Sequence, residues 1–211
     1  MSLVLASVGT PRATYICKEA LDRIIAVALL LVLAPLVVLL SAAVAATSPG
    51  PVFFRRRVVG RHGVEFDAFK FRTMVVDADA ILRAHPELSS RFAANMKLRD
   101  DPRLTRIGSL LRRTSLDEIP QLINVAAGHM SLVGPRMIAP DETGKFGDAL
   151  PRRLAVKPGI TGLWQVSGRQ ELAYADRIRL DLHYIENWSL WLDLAILART
   201  IPAVLSMRGA Y

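Results

Sequence analysis

Ile24 to Ala46 is a run of 23 residues without a charge, and no other stretch restricts the chain as much. As a straight helix it would reach about 34 Å, enough for a bilayer core of about 30 Å. Two details argue against a plain crossing. Pro35 falls near the centre and leaves arms of roughly eleven residues, each about half a bilayer long. Cations also flank both ends, Arg12, Lys18 and Arg23 before the run and Arg55, Arg56, Arg57 and Arg61 after it, and basic flanks favour the cytoplasmic side. A helix–break–helix that dips into the membrane and returns on the same face satisfies both, with the break at Ala34-Pro35 and Ser41 as a donor for the carbonyls freed there. A kinked helix that crosses once is the other reading, and the residues leave both open. The run does not read as a cleavable leader, since it begins well inside the chain and no small-residue cleavage site leads into a cysteine-rich domain.

The rest of the composition agrees with a membrane surface. The chain has 211 residues and a formal net charge of +8. That charge suits nucleic acid, anionic lipid or a phosphorylated substrate. A mean hydropathy of +0.30 argues against a soluble nucleic-acid binder. The single cysteine, Cys17, excludes an internal disulfide. The histidines (His62, His85, His129 and His183) lack zinc spacing.

After the break Ser48-Pro49-Gly50-Pro51, the alternation in Val64 to Arg72 predicts a strand with Lys70 and Arg72 on one face. Two cations so placed could hold a diphosphate, or could simply be solvated. Arg55 to Arg57 are expected at lipid headgroups. Val75 to Arg91 reads as an amphipathic helix interrupted at Pro86, and Ile107 to Arg113 as a helix that delivers Arg112 to the segment after it.

That segment, Thr114 to Gln121, holds the acidic pair Asp117-Glu118 among arginines. Proline belongs in a helix's first turn, so Pro120 marks a start, with Asp117 as N-cap and Gly128 as the C-terminal signal. The pair then sits where free N–H groups favour an anion, and guanidinium binds phosphate oxygens bidentately. Phosphoryl chemistry is one reading. The other is structural, because Ser115 and Glu118 also fit a capping box.

Further on, Gly134-Pro135-Arg136, Lys157 to Gly162 and Gln165 to Arg169 read as rigid turns that present cations, as positioning of a nucleotide diphosphate demands. Tyr174 to Tyr184 reads as a helix on which Asp181 binds a basic residue or a metal, or forms an exposed ion pair. The end from Trp188 to Met207, broken at Pro202, reads as an interfacial or a core helix.

These stretches together resemble the bacterial sugar transferases, the monotopic polyprenyl-phosphate phosphoglycosyl transferases. The resemblance lies in Ser48 to Phe54, Lys70 to Met74, Asp101 to Gly108, Thr114 to Gln121, Met130 to Arg136 and Lys157 to Arg169, in family order. It implies an α+β, mostly helical fold. Residues 1–50 would hold a re-entrant membrane helix, and residues 51–211 a cytoplasmic, membrane-associated catalytic domain with interfacial amphipathic helices, on the inner membrane of a bacterium. It implies a UDP-sugar, a polyprenyl phosphate and anionic lipids as partners, Mg²⁺ as cofactor with Asp117 in contact, and a two-step reaction. Asp117 would attack the β-phosphorus and expel UMP, and polyprenyl phosphate would then take the phosphosugar. Glu118 would act as acid/base or orient the metal. Lys70, Arg72, Arg112, Arg136, Arg169 and Asp181 are the expected substrate-binding residues.

The chain departs from the family pattern at Glu19, Ala34 and Met137. Its end, Asn187 to Tyr211, is similar to members that transfer glucose-1-phosphate or galactose-1-phosphate. An idle membrane scaffold and a UDP-sugar pyrophosphatase are the competing readings, and homo-oligomer formation is left open.

Overall fold

The computed structural model describes residues 12–95, 101–168 and 172–206. The first element, α1 (Arg12–Thr47), is a helix of 36 residues with Pro35 inside it. Helical backbone therefore continues through Ala34-Pro35, where a break is expected. Proline removes its own N–H bond and crowds the carbonyl four residues back, but bonds on either side still form. Ser41 does not serve the freed carbonyls, since its hydroxyl donates to Val37 O at 2.7 Å. Among the described residues this is a helix long and apolar enough, by length and composition, to cross a membrane.

One side of α1 packs on the rest of the chain in two places. Ala26, Leu30 and Leu33 join a core with Val58, Phe66, Leu122, Val125, Leu132 and Tyr184. Val37, Leu40 and Val44 join a second cluster with Phe71 and Leu111. The other side is apolar and open: Leu31, Val32, Val38 and Leu39 are each exposed by 65% or more.

Strands β1 (Phe53–Val59) and β2 (Glu65–Phe71) form an antiparallel hairpin in which Phe53 opposes Phe71 and Phe54 opposes Lys70. Helices α2 (Ala78–Ala84) and α3 (Pro86–Asn95) follow, parted at His85. Next is α4 (Arg106–Arg113), whose cap Thr105 accepts the Gly108 N–H at 2.9 Å. A 3₁₀ turn, Leu116–Glu118, leads into α5 (Gln121–Ala126). Gly128, at φ 84°, ends that helix as expected.

Strand β3 (Ser131–Val133) pairs in parallel with β4 (Gly159–Thr161), with 3₁₀ turns over Pro140–Ala149 and the short α6 (Leu150–Arg153) between them. Within the stretch Lys157 to Gly162, expected to be a rigid turn, Gly159–Thr161 is thus a strand. A Cβ on Gly159 would collide with the Gly134 backbone, so glycine permits this pairing. A 3₁₀ turn at Trp164–Val166 precedes α7 (Tyr174–Glu186) and α8 (Leu190–Leu205). Helix α8 continues through Pro202 and does not break there. Its Trp191, Leu194, Ile201 and Leu205 are exposed by 54% or more.

Buried polar contacts fix α1 to the end of the chain. Lys18 Nζ donates to Asp193 at 2.5 Å and lies 3.3 Å from Asp22. Ser131 donates to Asp22 at 2.5 Å. Tyr184 O–H and Trp188 N–H reach the same Asp193 carboxylate at 2.7 and 3.1 Å. Glu19 lies between Arg61 and Lys157, at 2.8 and 2.9 Å.

Candidate active site

The acidic pair lies on the 3₁₀ turn between α4 and α5. Ser115 enters that turn in the left-handed region (φ 57°) and makes no capping bond, so the capping box is absent. Asp117 is not a helix N-cap either, because it sits inside the turn and Pro120 occupies the cap of α5. Both carboxylates are thereby released from backbone duties. Asn124 of α5 then holds the turn against the hairpin: its side chain accepts the Phe69 N–H at 3.0 Å and donates to Asp67 O at 2.7 Å.

This docking brings Lys70 to the pair. Lys70 Nζ donates to Glu118 Oε1 at 2.6 Å, and Arg136 Nη2 reaches the same oxygen at 3.4 Å. Arg112 is turned inward by Thr73, whose hydroxyl accepts its Nε–H at 2.9 Å. Asp117 is 7% exposed. Among the described residues its carboxylate has no hydrogen-bond or ion-pair partner. Burial raises its pKa above the usual carboxylate value, with Lys70, Arg112 and Arg136 pulling it back and Glu118 pushing it further up. The result is a carboxylate in a cationic ring, with its lone pairs uncommitted.

The pair faces a cavity of about 900 Å³ also lined by Lys70, Arg72, Arg112, Arg136, Trp164 and Asp181. The expected site residues within the described chain therefore meet in one place, and Arg169 lies outside the described residues. Lys70 and Arg72 share the cavity but are differently engaged, since Arg72 Nη2 donates to Ser48 O at 2.6 Å. Arg136 lies 5.8 Å from the Trp164 ring centroid, with Arg177 at 5.2 Å from the same ring.

Asp181 is placed behind Arg136 and is buried, which rules out the exposed ion pair. Burial pushes its pKa up to about 7, against the pull of Arg153 and the Arg136 backbone N–H. Arg153 is fully buried and donates to the Arg136 carbonyl. The Arg136 peptide is thus gripped from both sides. Thr73, Arg153 and Trp164 carry no sequence signal that separates them from ordinary structural positions. Arg56 and Arg57, expected at lipid, are engaged within the fold by Glu142 at 2.6 Å and by Glu65 and Asp67 at 3.0 and 3.3 Å.

A carboxylate ringed by three cations, in a cavity beside a membrane-competent helix, is an arrangement suited to anionic ligands. The family model for bacterial sugar transferases matches residues 13–207, and the chain belongs to that family. It is 43% identical to the exopolysaccharide production protein ExoY of Sinorhizobium fredii, over 93% of this chain and 88% of the relative. It is 41% identical to the undecaprenyl-phosphate galactose phosphotransferase of Salmonella typhimurium, over 95% of this chain and 43% of the relative. It is 42% identical to the UDP-glucose:undecaprenyl-phosphate glucose-1-phosphate transferase of Xanthomonas campestris, over 96% of this chain and 42% of the relative. The chain spans less than half the length of those two transferases.

Proposed function

We propose that this protein moves a hexose-1-phosphate, glucose or galactose, from a UDP-sugar to polyprenyl phosphate, releases UMP, and so begins assembly of an exopolysaccharide or related glycoconjugate. The observation that carries the proposal is the Asp117 carboxylate, buried, unpaired and encircled by Lys70, Arg112 and Arg136. An Asp117 oxygen attacks the β-phosphorus, the bond from that phosphorus to the bridging oxygen breaks, and UMP leaves with the bond's electrons. An oxygen of polyprenyl phosphate then attacks the same phosphorus and frees the carboxylate. Carboxylates serve as phosphoryl acceptors when the attacked group is neutralised. Lys70 and Arg136 hold Glu118 in place to take or give a proton at the acceptor oxygen.

Mg²⁺ suits the donor set. Mg²⁺ characteristically uses one or two carboxylates together with substrate phosphates, and Asp117 has a carboxylate not engaged by any cation contact among the described residues. Asp117 and Glu118 are the residues to hold it, and it would add neutralising charge at the diphosphate.

The proposed membrane arrangement rests on α1. Its start is fixed to the fold through Lys18 and Asp22, and its end through Val44 and the Ser48–Arg72 contact. Both ends meet one folded unit while the apolar outer side stays open, which supports a helix held at one membrane face, with any bend it needs there falling at Pro35 and not at a break in the helix. The exposed apolar side of α8 supports an interfacial helix.

UMP release from UDP-glucose and UDP-galactose, with and without polyprenyl phosphate, tests the proposal. Turnover that needs both substrates supports it. Full-rate release without lipid would instead indicate a pyrophosphatase, and no release with any UDP-sugar an idle scaffold.

A further inference from the structure

Beyond Lys70 the cavity continues along the hairpin to a mouth formed by Pro51, Phe53, Phe54 and Val76. The mouth is apolar yet open, with Phe54 53% and Val76 60% exposed. Phe54 and Lys70 are directly opposed in the hairpin, so ring and ammonium share one face with Cβ atoms about 5 Å apart. Just inside, Arg72 is 6% exposed and lines the cavity. Ser48 occupies its Nη2 through the carbonyl and the hydroxyl, at 2.6 and 2.8 Å, but among the described residues Nε and Nη1 have no hydrogen-bond partner.

A buried guanidinium with two unmatched nitrogens is costly until an acceptor arrives. Phosphate oxygens fit its fork. The other face of the hairpin rests on the membrane-competent helix. Phe53 stacks on Phe71 with ring centroids 5.4 Å apart, and Phe71 packs against Val44, Val37 and Leu40 of α1.

An exposed apolar lip on a hairpin that packs on the membrane-competent helix, with an unmatched buried cation just inside, fits one phosphate on a long hydrocarbon tail. Resting on the transfer reaction above, we propose that polyprenyl phosphate enters here, its first isoprene units over Pro51, Phe54 and Val76 and its phosphate received by Arg72. The cavity wall of Ile160, Thr200, Ala203 and Val204 is apolar too, but the Arg136 cation near it is committed to Glu118 and Trp164.

The test uses the full chain in detergent or nanodiscs, with UMP release as readout. In Phe54→Ser, the KM for polyprenyl phosphate is expected to rise about ten-fold, the loss of one apolar side-chain contact. The KM for the UDP-sugar is expected to move less than about two-fold, and the preference for polyprenyl phosphate over a short isoprenyl phosphate to shrink by the same factor of about ten. Val76→Asn gives a second reading at the same lip if Phe54→Ser fails to fold. An acceptor KM within about two-fold of wild type in the folded variants, or a rise confined to the donor KM, overturns the assignment. Wild-type UMP release at full rate without any lipid overturns the transfer reaction itself, and this inference with it.

Discussion

Lys70 Nζ lies 2.6 Å from Glu118 Oε1, while Asp117, one residue earlier, keeps an unpaired carboxylate. Neighbouring acids have thus been given different surroundings, and different surroundings produce different roles. Glu118 is fixed and neutralised, and Asp117 keeps the uncommitted carboxylate that the proposed attack on phosphorus requires. Asp117→Asn is therefore expected to reduce transfer to background, because an amide is no nucleophile. Glu118→Gln should lower kcat by about 10²-fold or more while leaving a nucleophile in place. Steady-state UMP release on both variants checks this, and comparable losses in the two would argue against divided roles.

Removing the cation should be nearly as costly as removing the base it holds. Lys70→Met takes one positive charge from the ring around Asp117 and removes the 2.6 Å contact to Glu118. The expected loss is about 10²-fold in kcat, the size typical of one preorganised electrostatic contact. A kcat within a few-fold of wild type would place the neutralising charge elsewhere.

The acid side of the pH–rate profile should report Asp117. Burial raises its pKa above the usual 3.8, and only the ionised form attacks. kcat/KM should therefore decline, as pH falls, at a pH higher than an ordinary aspartate would give. A profile flat down to the ordinary carboxylate range would contradict the buried placement.

Asp181 makes an opposite prediction for stability. Its pKa rises from 3.8 to about 7 on folding, so between these values the folded chain binds more protons than the unfolded one. Stability should then fall as pH rises through that window and level off above it. Asp181→Asn should remove part of that slope. Thermal unfolding in detergent across the window measures it, and an unchanged slope would show that Asp181 titrates as an ordinary surface carboxylate.

Elements with strong periodicity or punctuation could be read from the residues alone. The strand ending at Phe71, the interruption at Pro86, the helix carrying Arg112 and the stop at Gly128 all follow from local chemistry. The pair β3–β4 could not be found that way, because three-residue strands have no period and their contact depends on glycines far apart in sequence. Arg152 and Arg153 look alike in sequence, yet Arg152 pairs with Glu186 in the open and Arg153 is fully buried. A helix of four residues offers no pattern that would tell them apart. Lys18 reads as an interface cation, but its partner Asp193 is 175 positions away. The acidic pair was visible as a candidate, while its release from capping depended on the left-handed Ser115 and the approach of Lys70.

That long-range ion pair gives a stability prediction of its own. Lys18→Met leaves Asp193 and Asp22 buried without their cation, a change that typically costs about 3–5 kcal/mol. Lys18→Met combined with Asp193→Leu should recover part of the loss, since an apolar pair avoids the stranded charge. Unfolding midpoints of the three proteins in one detergent check this. An undiminished midpoint for Lys18→Met would mean that the contact does not hold α1 to α8.

The most direct test is to mix the full chain with UDP-glucose or UDP-galactose in the absence of lipid and map the product by mass spectrometry. The account predicts a hexose-phosphate adduct on the peptide containing Asp117, formed with a burst of UMP and discharged when polyprenyl phosphate is added. UMP released only when both substrates are present, with no adduct at Asp117 under any trapping condition, would contradict it.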